Sequence, residues 1–214
     1  MSSDLIEQIK NVVIDGKHND IVELISSAIE KKTRLEQIIN SGLIAAMDVV
    51  GQKFSDGKIF VPEMLASAFT MKKGLDIVKP IIKDHEDKSL GTILMGTVKG
   101  DLHDIGKNLV IMMLEGAGFK VIDLGIDLTV EKAVQQVGEL QPDILGLSAL
   151  LTTTMPEMKR VIEELEIHGL RNRVKVIVGG APVSAGFAEK IGADGYGEDA
   201  AEAVQISKRL VSAD

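Results

Sequence analysis

The sequence predicts an α/β protein in two parts, a bundle of four or five helices over residues 1–88 and an open parallel sheet flanked by helices over 89–214. Three observations carry this. From Asp4 to about Asp87 apolar residues recur at intervals of three and four. Beyond Leu90 short apolar runs alternate with amphipathic stretches instead. The chain is 45% hydrophobic but only 3% aromatic, so Ile, Val, Leu, Met and Ala must fill its core, a composition suited to helix packing and buried parallel strands.

In the first part, Leu5, Ile6, Ile9, Val12 and Val13, then Ile21, Val22, Leu24, Ile25, Ala28 and Ile29, mark two helices. Asp15-Gly16-Lys17 ends the first. A long third helix is expected from about Arg34 to Phe54, closed by Ser55-Asp56-Gly57, and a fourth from about Pro62 to Ile77, with Pro62 in its first turn, where the missing N–H costs nothing. Residues 84–89 are polar and read as the linker.

In the second part, strands are expected at Thr92–Val98, Lys120–Leu124, Ile144–Leu147 and Val174–Val178, with a short fifth near Ala193–Tyr196. Helical patterns lie near 104–117, 129–139, 155–169, 182–190 and 198–211. Most of the 21 glycines fall in this half, where turns are needed. In such sheets ligands gather at the carboxyl ends of strands, so functional residues belong just after the apolar runs.

Charge and composition exclude several classes. The net charge of −8 opposes binding to nucleic acid or an anionic membrane surface. Neither part hides a basic domain, with 12 basic against 14 acidic residues up to Leu90 and 12 against 18 beyond it. Zero cysteines remove disulfides, thiolate metal sites and cysteine nucleophiles. The chain opens without a signal-like segment, and no run approaches the roughly 18 apolar residues of a membrane span, so a cytoplasmic location is expected.

The first strand runs into Gly100-Asp101-Leu102-His103-Asp104-Ile105-Gly106. His103 belongs to neither apolar pattern, and a carboxylate two residues before a loop histidine can hold one ring nitrogen and direct the other toward a ligand. Gly106 lets the next helix start close to whatever His103 touches. The competing reading is that Asp101 and Asp104 only cap the helix and His103 is a surface residue. His18, His85 and His168 lack ligand spacing with His103. One protein ligand is too few for zinc, yet sufficient when a macrocycle supplies the rest.

Asp101-X-His103-X-X-Gly106, then 41 residues, Ser148-X-Leu150, then 28 residues and Gly179-Gly180, resembles the cobalamin-binding signature of B12-dependent methyltransferases and mutases. Gly51, Phe54, Gly57, Lys58, Phe60, Val61, Pro62 and Met64 are similar to the helical methyl-cap of methionine synthase and of the corrinoid subunits in methanol, methylamine, glycine betaine and aryl-ether methyltransferase systems. The resemblance covers about residues 4–212 and includes no barrel, folate, homocysteine or activation domain. It implies a methyl-cap bundle followed by a Rossmann-like or flavodoxin-like B12-binding domain.

The same resemblance implies a cobalamin or related corrinoid bound base-off, with its nucleotide tail in the α/β domain and His103 as lower axial ligand of cobalt. Asp101 would hydrogen-bond His103, while Ser148 and the Gly179-Gly180 backbone would line the tail pocket. Asp104, Ile105, Gly106, Leu150, Thr152 and Tyr196 complete the expected contacts, with Thr153 and Thr154 as further hydroxyls within reach of the tail and Asp101. Phe54, Phe60, Val61 and Met64 would offer apolar contacts from the cap; the same residue types would also serve a plain bundle core.

The function so implied is that of a methyl carrier with no catalytic residues of its own. It takes a methyl group onto cob(I)alamin from a donor-specific methyltransferase and passes it from methylcob(III)alamin to a second methyltransferase, whose acceptor is tetrahydrofolate or coenzyme M. A reductive activase is a further expected partner, and the linker at 84–89 the expected hinge. Alternatives are the cobalamin-binding subunit of an adenosylcobalamin-dependent mutase, a B12-dependent regulatory module, or a flavodoxin-like module without B12. Cap-like residues 34–77 speak against the first, the acidic balance against the second and the three spaced motif blocks against the third.

Overall fold

A computed structural model describes residues 2–82 and 89–212. The expected linker and hinge, together with His85, lies almost entirely outside the described residues. The chain divides into two compact units, 1–88 with 115–118, and 89–114 with 119–214.

The first unit contains α1 (Ser2–Ile14), α2 (Ile21–Glu30), a single turn α3 (Leu35–Gln37), a π-helical stretch (Ile38–Ile44), α4 (Ala45–Ser55) and α5 (Val61–Ile82). Gly16 leaves α1 at φ +66°, as the Asp-Gly signal requires. The expected third helix is therefore not one regular α-helix: Ile38 and Leu43 are both fully buried, a spacing of five that suits i→i+5 winding better than an α-turn. On α5, Met64, Ala68, Met71, Leu75 and Val78 form the buried stripe, while Val61, Leu65 and Phe69, also at helical spacing, stay exposed. No described helix is long and apolar enough to cross a membrane.

The second unit is a five-stranded parallel sheet of β1 (Thr92–Val98), β2 (Lys120–Leu128), β3 (Ile144–Ser148), β4 (Lys175–Gly179) and β5 (Gly195–Gly197) in the order β2-β1-β3-β4-β5. Between and after the strands run α6 (Ile105–Gly116), α7 (Val130–Leu140), α8 (Pro156–Ile167), α9 (Ala185–Lys190) and α10 (Ala200–Val211). Leu94, Leu145, Leu147, Val176 and Val178 form one face of the core with Val134 and Val137 of α7, Met158, Val161 and Leu165 of α8 and Ala188 of α9. The step from β1 to β2 runs opposite to the later steps, so right-handed crossovers put α6 on the other face. The order reverses between β1 and β3, and the loops leaving these neighbouring strands open the crevice where this topology binds ligands.

β2 continues four residues beyond the expected Leu124. Asp123, Gly125 and Asp127 interrupt its apolar run, yet pairing resumes through register shifts beside Met95, Gly96 and Val98, with Gly125 at φ +84° and Asp127 at φ +51°. Asp123 Oδ1 accepts the Gly125 amide at 2.9 Å, which holds this irregular end in shape.

Candidate functional site: a histidine anchored at the sheet switch point

β1 is buried through Val98, and the chain then turns at Gly100, whose φ of +79° favours glycine. Residues 101–104 form a loop before α6 begins at Ile105. Thr97, the last inward hydroxyl of the strand, donates to the His103 carbonyl at 3.0 Å and is fully buried.

Asp101 is the centre of the site. It is fully buried, and donors converge on both carboxylate oxygens. Oδ2 accepts Leu150 N at 2.7 Å, Leu151 N at 3.2 Å and Thr154 Oγ1 at 2.9 Å, all from the loop after β3. Oδ1 accepts His103 N at 3.1 Å and His103 Nδ1 at 2.7 Å. Burial opposes the charge, but the Leu150 amide, the His103 ring and amide and the Thr154 hydroxyl outweigh it and hold the carboxyl well below the usual carboxylate range.

An ionised carboxylate can only accept, so the His103 proton resides on Nδ1 and the lone pair on Nε2. The His103 side chain is 53% exposed, and among the described residues Nε2 has no hydrogen-bond partner. The sequence left open whether Asp101 caps a helix; it does not, because its partners are His103 and the loop 150–154. Asp104 does serve the start of α6, its carboxylate accepting Asn108 Nδ2 at 3.1 Å.

Apolar side chains beside His103 in sequence, and on the loop bonded to Asp101, lie open to solvent: Leu102 is 66% exposed, Ile105 83% and Leu150 44%. Leu151 and Ile126, also exposed, flank the segments bonded to Asp101. Nothing lies within 4 Å of a Cβ built on Gly106. Ser148 is half-buried and pairs in register with Thr97 and Gly179. A Cβ on Gly179 would stand 2.9 Å from the Gly197 carbonyl oxygen, and one on Gly180, at φ +123°, would collide with the Ala149 carbonyl. Gly180→Ala is therefore expected to destabilise the protein by about 2–3 kcal/mol, read as a lowered urea midpoint at unchanged slope.

Tyr196 pairs with Val178 and packs against the sheet core; burial, then Glu198 and Glu202, push its phenol up. Thr152 is exposed, and the hydroxyl joined to Asp101 belongs to Thr154. A run of three threonines carries no signal of which one turns inward; the turn of the loop decides it. In the helical unit Phe60 is 68% exposed, Val61 42%, Phe54 half-buried and Met64 fully buried on the core stripe of α5.

Among the described residues no group of three or more His, Asp or Glu side chains could hold a metal ion. His18 stacks edge-on against Phe69 with ring centroids 5.5 Å apart, and His168 Nδ1 meets the Glu164 carbonyl at 2.9 Å. The site thus offers a metal one oriented imidazole nitrogen, an apolar rim and a glycine-lined edge, which fits a metal carried in its own macrocycle.

Comparison with known proteins agrees with this chemistry. Residues 91–205 match a B12 binding domain family, and residues 5–79 match a second B12 binding domain family. A corrinoid protein from Desulfitobacterium hafniense (strain Y51) is 42% identical over 214 residues, 99% of each chain. A dimethylamine corrinoid protein from Methanosarcina acetivorans is 42% identical over 207 residues, 97% of each chain. Among solved structures, a cobalamin-binding protein from Desulfitobacterium hafniense DCB-2 superposes with TM-score 0.82 at 33% identity, covering 96% of this chain and 98% of that one. A chain of the methanol:cobalamin methyltransferase complex from Methanosarcina barkeri superposes with TM-score 0.85 at 32% identity, covering 99% of this chain and 81% of that one. With both of its parts matched and the imidazole suited to a macrocycle-bound metal, the chain belongs to the B12-binding corrinoid proteins, and its cofactor is a corrinoid.

Proposed function

We propose that this protein is the methyl-carrying subunit of a multi-protein methyltransferase and that His103 Nε2 would be the protein's ligand to its cobalt. The observation that carries the reading is the buried Asp101, whose five hydrogen bonds fix the His103 tautomer and aim a single nitrogen outward. The bound corrinoid supplies a cobalt that accepts a methyl group from one partner and yields it to another. The protein's own part is to hold, orient and desolvate.

Asp101 keeps the Nδ1 proton in place, so Nε2 presents its lone pair whenever the metal requires it. Leu102, Ile105 and Leu150 would supply an apolar rim for the ring. Asp104 and Gly106 set the start of α6 beside it. Ser148, Gly179, Gly180 and Tyr196 would line the route of the nucleotide tail at the strand ends, where Gly179 and Gly180 let the backbone at Gly197 and Ala149 pack closely. Thr152, exposed in the same loop, is a rim residue, and Thr154 is the hydroxyl that orders Asp101. Phe54, Phe60 and Val61 are the helical unit's apolar contacts to the corrinoid, and Met64 backs them from its core.

The partners are a donor-specific methyltransferase, a second methyltransferase acting on a thiol or a tetrahydropterin, and a reductive activase. Relatives named as dimethylamine and trimethylamine corrinoid proteins make methylated amines the first donors to try. The test is anaerobic reconstitution with methylcobalamin, removal of free cofactor, a UV-visible spectrum, and incubation with candidate methyltransferases together with a thiol or tetrahydropterin acceptor. A retained base-off, histidine-ligated spectrum that loses its methyl signal on adding a partner is the expected result. No retained corrinoid on folded protein overturns the site, and retention of adenosylcobalamin without methyl exchange overturns the carrier role.

A further inference from the structure

Lys107 is only 2% exposed, an uncommon environment for an ammonium. Its Nζ donates to Asp123 Oδ1 at 2.6 Å and to Asn108 Oδ1 at 2.9 Å. Burying such a charge costs several kcal/mol, and a well-packed apolar residue often gives equal or better stability. Packing alone therefore does not account for a lysine in the first turn of α6.

The partner's location supplies the reason. Asp123 sits where β2 leaves regular pairing, and the oxygen that receives Lys107 also accepts the Gly125 amide at 2.9 Å. Two residues further on, Asp127 Oδ1 accepts Gly100 N at 2.7 Å, and Asp127 N donates to the Asp101 carbonyl at 3.1 Å. The segment 123–127 thus grips both ends of the histidine loop, Gly100 and Asp101 upstream and Lys107 downstream, with His103 between them. Asp127 makes these bonds at φ +51°, a left-handed conformation outside regular strand geometry, so their geometry depends on how this irregular end of β2 is held.

We infer that the ion pair between buried Lys107 and exposed Asp123 is a positioning device for His103: it locks the irregular end of β2 so that Asp127 can hold Gly100 and Asp101, and thereby sets the orientation of the imidazole. The inference rests on His103 being the cobalt ligand, but its first readout requires no cofactor.

The experiment uses the full chain with Lys107→Met, Asp123→Asn and, as a control for stability loss alone, Arg171→Met. The control breaks the Arg171–Asp194 pair, 2.7 Å long, which adjoins the starts of β4 and β5. In cofactor-free protein, amide exchange at Gly100 and His103 is expected to speed up about tenfold or more in both site variants and not in the control. After anaerobic reconstitution with methylcobalamin, both variants are expected to retain corrinoid while the histidine-ligated fraction falls severalfold. Wild-type exchange and spectra in both site variants overturn the inference, as does an equal change in Arg171→Met at equal stability. Should Lys107→Met not fold, Asp123→Asn, which preserves size and one acceptor oxygen, decides alone. A wild-type spectrum identical to that of His103→Ala defeats the ligand reading instead, and the amide exchange then still decides whether the pair anchors the loop.

Discussion

Replacing His103 with Ala is expected to remove the histidine-ligated spectrum and to weaken corrinoid retention about tenfold or more, while the chain stays folded. The fold tolerates the change because the ring is half exposed and, among the described residues, its side chain bonds only to Asp101. After its loss Asp101 keeps the amides of residues 103, 150 and 151 and the Thr154 hydroxyl, so its buried charge remains satisfied. Retention is expected to fall without vanishing because the proposed tail-binding edge at Ser148, Gly179 and Gly180 is untouched. Spectral titration with methylcobalamin gives both numbers, and unchanged axial coordination in the variant removes His103 from the metal.

Asp101→Asn is expected to cost about 3 kcal/mol of stability at pH 7. The two carboxylate oxygens receive five donors, and an amide offers one oxygen and turns an NH2 group toward the rest. The expected pH dependence follows from the depressed carboxyl. Its folded value lies below its unfolded value of about 3.9, so its contribution is full above that pH and is lost as pH falls toward the folded value. The gap between wild type and Asp101→Asn should therefore narrow below about pH 4. Urea unfolding followed by Tyr196 fluorescence reads it in the α/β unit, since the chain has 1 tyrosine and 0 tryptophans. A gap that ignores acid would mean that Asp101 is not ionised in the folded protein.

The His103 loop and its chemistry are thus of two kinds, some written locally and some assembled across the sheet. Thr92–Val98 is legible as a strand because its apolar run is unbroken, and β1 has those limits. β2 is legible only as far as Leu124, because Gly125 and Asp127 after Asp123 look like a turn; bonds to Lys107 and Gly100 let it continue to Leu128. The same holds in the helical unit, where the apolar period marks α1 and α2 but the π-helical stretch depends on how Ile38 and Leu43 both reach the core. Met64 stands in a motif that reads as a cofactor contact, yet the winding of α5 puts it on the buried stripe.

By itself the sequence determined the two-part α/β architecture, the strand-end location of His103 and its pairing with Asp101, since apolar period and a two-residue spacing are local properties of the chain. Only the tertiary structure decided that Thr154 and the Leu150 and Leu151 amides hold Asp101, that Lys107 is buried against Asp123, and that Met64 faces inward. The physical reason is that a buried charge is stabilised by whichever donors the fold brings within about 3 Å, and here most of them come from segments distant along the chain.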